Sequence, residues 1–379
     1  MKKFMIFAAT AALVLAGCAK NEIFIPSEND GSIPIGFSNY APRSLTKAGT
    51  SYIDATATVL PNGSQFVVYG YANTAATWAS TLAPAFMNGV TVTFSGTDSS
   101  EATQDYSPVR YWPAGDAASL DWLSFYGYYP AGGAGIAPTV TTGLGTYEFT
   151  AQNDAKDMVD FMVTDLAKDY VYGTAAGSDP NVAVDGVVPL TFHHALTKVQ
   201  FVFQTDNTDA NTTITINSAT LKNIVKKGTL TVQETFATAT NTTSPWAPST
   251  EATDKGDYTV TINKVAADVP LTNATAGTPV TPQPMTVDNE DIFLMVPQEV
   301  TTGKNLVIVW TVTTGGVATQ NTSTIDLSDI NIKVGEESLN LWKANKSVIY
   351  TITVGLKPIK FTGSVTAWDA DTNAAIPVN

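Results

Sequence analysis

The residues of this 379-residue chain that could do chemistry are few: one cysteine, Cys18, two histidines at the neighbouring positions His193 and His194, and 34 Asp plus Glu against 20 Lys plus Arg. A single cysteine forms neither an intrachain disulfide nor a cysteine-rich zinc site. His193 and His194 close the run Val188-Pro189-Leu190-Thr191-Phe192-His193-His194. The run has a strand pattern, in which successive side chains point to opposite faces, so the pair cannot share one ion in regular geometry. One of the two is expected to be buried and hydrogen-bonded. Asp369-Ala370-Asp371-Thr372-Asn373 copies the opening of a calcium loop, but its sixth position is Ala374 in place of Gly and no twelfth-position Glu follows. Gly132, Gly133 and Gly135 in a Pro-flanked stretch fail the dinucleotide fingerprint and are expected in a loop. The acids offer many dyads and single out none. Metal and nucleophile chemistry have little to draw on, and no enzyme activity, cofactor or metal is expected.

The formal charge of −14 and pI near 4.4 argue against nucleic acid as a partner, since its phosphates reward clustered Lys and Arg. The cysteine has a more specific use. Lys2 and Lys3 precede the apolar run Phe4 to Leu15, which is too short to span a bilayer, and Leu15-Ala16-Gly17-Cys18 resembles a bacterial lipobox. Residues 1–17 are therefore expected to be a lipoprotein signal peptide, with Cys18 acylated and the body tethered to a membrane through its lipid. Cleavage removes Lys2 and Lys3 and leaves 18 basic against 34 acidic residues, or −16. Residues 18–32, with Pro26, Asn29, Asp30 and Gly31, read as a flexible tether.

The elements that follow are β-strands. The chain holds 56 Thr, abundant Val, Ile, Tyr and Phe, and only 14% charged residues, a composition that suits pleated, half-buried surfaces. From residue 33 onward short alternating segments are separated by turn residues, the grammar of β-sandwiches. Ile33, Ile35 and Phe37 alternate with Pro34 and Gly36, and Gln65 to Tyr71, Val90 to Phe94, Val199 to Phe203, Asn305 to Val312, Ser347 to Val354 and Ile359 to Trp368 are among the clearest strands. Asp154 to Phe161 is the one short helix or turn expected. The length suits two domains of about 100–200 residues each, and the turn-rich stretch 173–185 places their division near residue 185. The N-terminal domain is then 33–185, with 33–47 as its first strand and processing loop, and the C-terminal domain is 186–379. In the cluster Tyr106, Tyr111, Trp112, Trp122, Phe125, Tyr126, Tyr128 and Tyr129, Leu123, Phe125 and Tyr129 share one strand face and Trp122, Tyr126 and Tyr128 the other, so at least one set is packed. Core packing is the favoured reading over a sugar-stacking platform.

Several of these pieces together resemble the fimbrillin family, the lipoprotein-derived type V pilins of Bacteroidota. They are the lipobox at Cys18, Ile33-Pro34-Ile35-Gly36-Phe37 with Thr46-Lys47-Ala48, Phe66-Val67-Val68-Tyr69-Gly70-Tyr71, Pro108-Val109-Arg110-Tyr111-Trp112-Pro113, Leu123 to Pro130, Pro189 to Val199, and Lys346 to Val354 with Phe361 to Trp368. The resemblance implies two transthyretin-like β-sandwich domains in tandem and a structural role in a surface fimbrium. It also implies that a trypsin-like or Arg-specific protease removes the first strand, here carrying Ile33, Ile35 and Phe37, and that a strand of another subunit refills the groove. Lys47-Ala48 and Arg43-Ser44 are both candidate cleavage points. The candidate donor is the C-terminal segment, with Ile359, Phe361, Val365 and Trp368, then Ile376 and Val378; the other reading of that segment is the last strand of the second domain, which would favour a tip over a stalk subunit. Implied partners are other fimbrial subunits by β-strand addition, the maturation protease, and a host or bacterial surface ligand. The alternative is a monomeric surface lipoprotein that binds glycans.

Overall fold

The computed structural model describes residues 33–41, 46–48, 51–53, 59–73, 77–97, 101–113, 122–173, 181–236, 245–261, 271–275, 281–284, 292–330, 333–334, 337–338, 340–355 and 360–367. The lipidation site Cys18, the signal and tether, Arg43, Ser44, Ile359, Trp368, Ile376, Val378 and the run Asp369 to Asn373 lie outside these residues.

Among the described residues the architecture is all-β, with three short 3-10 turns. The first sheet has eight strands, ordered Gly36–Tyr40, Val187–His194, Met162–Thr164, Trp122–Tyr129, Ala167–Gly173 and Val182–Val184, with Gln65–Asn73 also paired to Trp122–Tyr129 and Met87–Thr93 paired to Gln65–Asn73. Its central strands are near-continuous apolar runs, and such runs are stable where both faces are covered. Phe66 and Val68 enter one buried cluster while Val67, Tyr69 and Tyr71 enter the other. Trp122–Tyr129 divides in the same way: Leu123, Phe125 and Tyr129 join the first cluster, Tyr126 and Tyr128 the second. Both faces of the aromatic strand are thus core. The turn after it, with Gly132 and Gly135 at positive φ, leads directly into the strand Ile136–Thr139. The expected helix at 154–161 is a single 3-10 turn, Ala155–Asp157.

Besides two-stranded ribbons of Gln298–Glu299 with Leu341–Trp342 and of Lys333–Val334 with Glu337–Ser338, the described residues of the second half build two larger sheets. One has Gln283–Pro284, Thr197–Gln204, Lys346–Thr353 and Lys360–Ala367 in order, with Phe293–Met295 also paired to Thr197–Gln204; the other has Lys255–Thr261, Thr212–Val225, Asn305–Thr314 and Val317–Asp326. Val199, Phe201, Phe203, Tyr350 and Ile352 from the former share a core with Ile214, Ile216, Leu221, Leu306 and Ile308 from the latter, and Tyr258 meets Phe293 edge-on at 6.4 Å. A smaller sheet, Ile136–Thr139, Thr146–Thr150, Lys227–Thr231 and Trp246–Pro248, joins strands of both halves. Its seam is aromatic: Phe149 stacks on Phe161 at 5.9 Å, Tyr147 meets Tyr128 at 5.2 Å, and Trp246 Nε1 donates to the Ala195 carbonyl at 2.7 Å.

The division expected at residue 185 falls inside the first sheet. Val182–Val184 and Val187–His194 both belong to it, linked through Asp185 and Gly186, which take φ of 53° and 79°. Val188, Leu190 and Phe192 supply the apolar face that this sheet buries. The chain reaches the next sheet only after Ala195 and Leu196, so the turn-rich stretch 173–185 precedes a strand of the first sheet.

Candidate functional site

Gly36–Tyr40 occupies a slot between two walls of different character. On one side it runs parallel to Val187–His194, Gly36 opposite Val187 and Tyr40 opposite Thr191. On the other it meets an irregular segment through isolated antiparallel bridges, Pro34 with Tyr111 and Phe37 with Thr103. Phe37 and Thr103 exchange two backbone hydrogen bonds at 2.9 Å, Ile35 N donates to Arg110 O at 2.8 Å, Gly36 N to Gly186 O at 3.0 Å and Trp112 N to Ile33 O at 2.9 Å. The Tyr106 hydroxyl donates to Ile35 O at 2.8 Å, and burial pushes that phenol up to about 12.

Alternation places Ile35, Phe37 and Asn39 on one side of the strand. Ile35 and Phe37 are fully buried and Ile33 is half-buried against the same cluster. Phe37 lies edge-on to Phe125 at 5.4 Å and tilted on Tyr106 at 5.8 Å. Asn39 ends the series with a polar contact, its Oδ1 accepting the Leu60 N–H at 2.8 Å. Gly186 is required where it is: at φ +79° a Cβ would lie 2.7 Å from Ile33 and 2.9 Å from the Pro34 carbonyl, while its own carbonyl accepts Trp112 Nε1 at 3.0 Å. Asn39, Thr103, Tyr106 and Gly186 escaped the sequence reading as slot residues. The parity of 35, 37 and 39 was a usable signal for Asn39, but none marks the long-range partners.

The other candidates fall elsewhere. Lys47 and Ala48 lie on the short strand Thr46–Ala48, which pairs antiparallel with Ser51–Ile53 and sets Lys47 opposite Tyr52. Phe361 and Val365 lie on Lys360–Ala367, which pairs along its whole length with Lys346–Thr353, and Val365 packs against the larger core. His194 and Asp160 are both fully buried with Nδ1 and Oδ2 2.8 Å apart, whereas His193 Nε2 meets Asp165 Oδ2 at 3.0 Å near the surface. The two histidines engage different carboxylates, as their alternation requires. Asp165 also accepts the Phe236 N–H at 2.7 Å, and the Phe236 ring stacks on His193. Trp112, Phe125, Tyr126, Tyr128, Tyr129 and Tyr106 are all buried, so these rings hold the core instead of offering a stacking platform. Burial raises the tyrosines: Tyr69 and Tyr129 reach about 12, and Tyr126 and Tyr147 go well above the ordinary value. Among the described residues no group of three His, Cys, Asp or Glu is placed to hold a metal ion. The slot holds Gly36–Tyr40 by burial of Ile35 and Phe37 and by main-chain hydrogen bonds.

Among the described residues the chain is an all-β sandwich in which Gly36–Tyr40 fills an apolar slot of the first sheet. A family model described as fimbrillin-like matches residues 53–368, and the chain belongs to that family. The comparison with curated proteins finds no match. Among solved structures, a fimbrial protein from Bacteroides vulgatus aligns at a TM-score of 0.56 with 18% identity, over 88% of this chain and 99% of that one. A candidate cell adhesion protein from Bacteroides uniformis aligns at 0.45 and 15%, over 90% and 100%. The tip fimbrial protein Mfa3 from Porphyromonas gingivalis, with a C-terminal truncation, aligns at 0.37 and 11%, over 88% and 100%. The first of these shows a shared fold.

Proposed function

We propose that the protein is a structural subunit of a surface fimbrium, stalk or tip, exported as an outer-membrane lipoprotein acylated at Cys18. On this reading it is matured by a trypsin-like or Arg-specific cut at Lys47-Ala48 or Arg43-Ser44, assembled by donor-strand exchange, and contributes to adhesion through a host or bacterial surface ligand. Its two halves are the transthyretin-like domains of such a subunit.

The observation that carries the reading is the slot. Removing Ile35 and Phe37, both fully buried, forfeits about 3–6 kcal/mol of burial, a large part of a domain's net stability. The backbone groups of Thr103, Arg110, Trp112 and Gly186 lose their partners at the same time. An emptied slot favours a replacement strand with main-chain hydrogen bonds and alternating apolar side chains. Two further facts fit: the basic residues Arg43 and Lys47 follow the strand directly, and the family match begins at residue 53, past both candidate cuts. For the donor, Ile359-Lys360-Phe361-Thr362 repeats the order of Ile35-Gly36-Phe37-Ser38. The pairing of Lys360–Ala367 within its own sheet favours a tip position, where that strand stays home.

Limited trypsin treatment of the purified precursor, followed by mass analysis and light scattering, tests the proposal. The expected result is a cut between residues 43 and 48 and a rise in oligomer size. Resistance to trypsin, or a cut that leaves the size unchanged, overturns polymerisation.

A further inference from the structure

The outer edge of Val317–Asp326 has no paired strand among the described residues, and its chemistry suits a second copy of the same strand. It is ten residues long, Val317-Ala318-Thr319-Gln320-Asn321-Thr322-Ser323-Thr324-Ile325-Asp326, and is mostly exposed. The devices that normally blunt an edge are missing from it: it has no Lys, no Pro and no irregularity in its register with Asn305–Thr314.

The hairpin turn sets which backbone groups face outward. Gly315 and Gly316 both take positive φ, 58° and 84°, and Thr314 opposes Val317 across a two-residue loop. In such a hairpin the flanking pair exchanges both hydrogen bonds, and bonded and non-bonded pairs then alternate. Val317, Thr319, Asn321, Ser323 and Ile325 therefore direct N–H and C=O toward Asn305–Thr314. Ala318, Gln320, Thr322, Thr324 and, at the end of the strand, Asp326 direct theirs to the open edge. Their side chains share the solvent face with Val307, Val309, Thr311 and Thr313 of the neighbouring strand and Thr213 and Thr215 of the next; along these strands charge enters the face only at the far end, with Asp326 and Lys222.

Charge selects the partner's direction. A parallel in-register pair sets Asp326 beside its own copy. An antiparallel pair about a two-fold axis at Asn321 sets Ala318 against Thr324 and Gln320 against Thr322, uses four of the five outward residues, and moves the fifth, Asp326, out to the Gly316 turn. Elsewhere the acidic surface makes copies repel; along this edge it does not.

We propose that two copies of this chain associate through antiparallel pairing of their Val317–Asp326 edges, joining two four-stranded sheets into one of eight strands. The contact is isologous and does not involve the slot of the first strand, so it goes beyond the fimbrial reading and forms equally in uncleaved precursor. Sedimentation of the uncleaved full chain over a range of concentrations tests it. The wild type is expected to show a monomer–dimer equilibrium. Thr322→Pro removes an outward N–H and no internal ladder bond, and is expected to weaken the dimer by about tenfold or more with an unchanged thermal midpoint at dilutions where both proteins are monomeric. Asn321→Cys in a Cys18→Ser background is expected to cross-link the dimer, because a non-hydrogen-bonded antiparallel pair brings its side chains close. A wild type that stays monomeric throughout, a dimer indifferent to Thr322→Pro, or failure of the cysteine variant to cross-link overturns the proposal.

Discussion

Phe37→Ala tests whether the first strand is a separable piece. The ring is fully buried between Phe125 and Tyr106, and truncating such a side chain costs about 3–5 kcal/mol. If the strand detaches as a unit while the sheets stay folded, that cost falls on the local opening alone. The opening constant then rises by about 10² to 10⁴. The amides that open with the strand are identifiable: Ile35, Gly36 and Phe37 within it, and Thr103 and Trp112 in the facing wall. Hydrogen–deuterium exchange of the precursor, read by mass spectrometry, is expected to accelerate in peptides covering 33–40 and 101–112 and to remain at the wild-type rate in Lys346–Thr353. Phe37→Leu, which keeps much of the volume, is expected to produce a much smaller change. Uniform acceleration across all peptides would refute the reasoning, because the first strand would then be an inseparable part of the body. So would unchanged exchange in 33–40.

Trp112→Ala removes a buried ring that meets Phe125 and donates to Gly186, so it is expected to cost the precursor about 3–5 kcal/mol in urea unfolding; a variant of native stability that has lost sugar binding would favour the glycan reading instead. The paired change Ile35→Asp with Phe37→Asp is expected to destabilise the uncleaved precursor and to spare a preassembled, processed polymer; equal damage to both counts against a removable strand. Asp160→Ala deprives fully buried His194 of a 2.8 Å partner and is expected to cost about 1–3 kcal/mol, read as a lower denaturant midpoint, with no change refuting a structural role. In alkaline solution two effects oppose each other. Burial lowers Lys304 to about 8, so folding gains stability as pH climbs from there toward the ordinary lysine value of 10.5, while Tyr69, Tyr106 and Tyr129, raised by burial from 10.0 to about 12, give stability that is full below 10 and lost as pH rises through 12. The midpoint is expected to rise slightly above pH 8 and to fall past pH 10, with tyrosinate absorbance appearing together with unfolding.

Much of the architecture could be read from local pattern. Strand positions followed from alternation because a pleated backbone imposes a period of two on any half-buried segment. The histidines' separate partners followed from the same parity. Where the reading failed, the missing quantity was long-range. The stretch 173–185 is rich in turn residues, yet it precedes a strand of the same sheet; local composition marks a turn without saying which sheet the next strand joins. Trp122–Tyr129 shows the same limit, since alternation established two faces and only the stacking of other layers decided that both are covered.

By itself the sequence determined the β class, the acidity, the scarcity of reactive groups, and an apolar first strand followed by basic residues, all properties of composition and short-range order. The tertiary structure decided that this strand lies parallel to a segment about 150 residues away and against an irregular wall at 103–111, that Tyr106, Trp112, Phe125, Tyr126, Tyr128 and Tyr129 of the aromatic cluster are core, and that Lys360–Ala367 pairs within its own sheet while Val317–Asp326 has one unpaired edge among the described residues. Those outcomes depend on which strands pair, and pairing is selected by the collective burial of both faces and the closure of long loops, terms that no short window of residues contains.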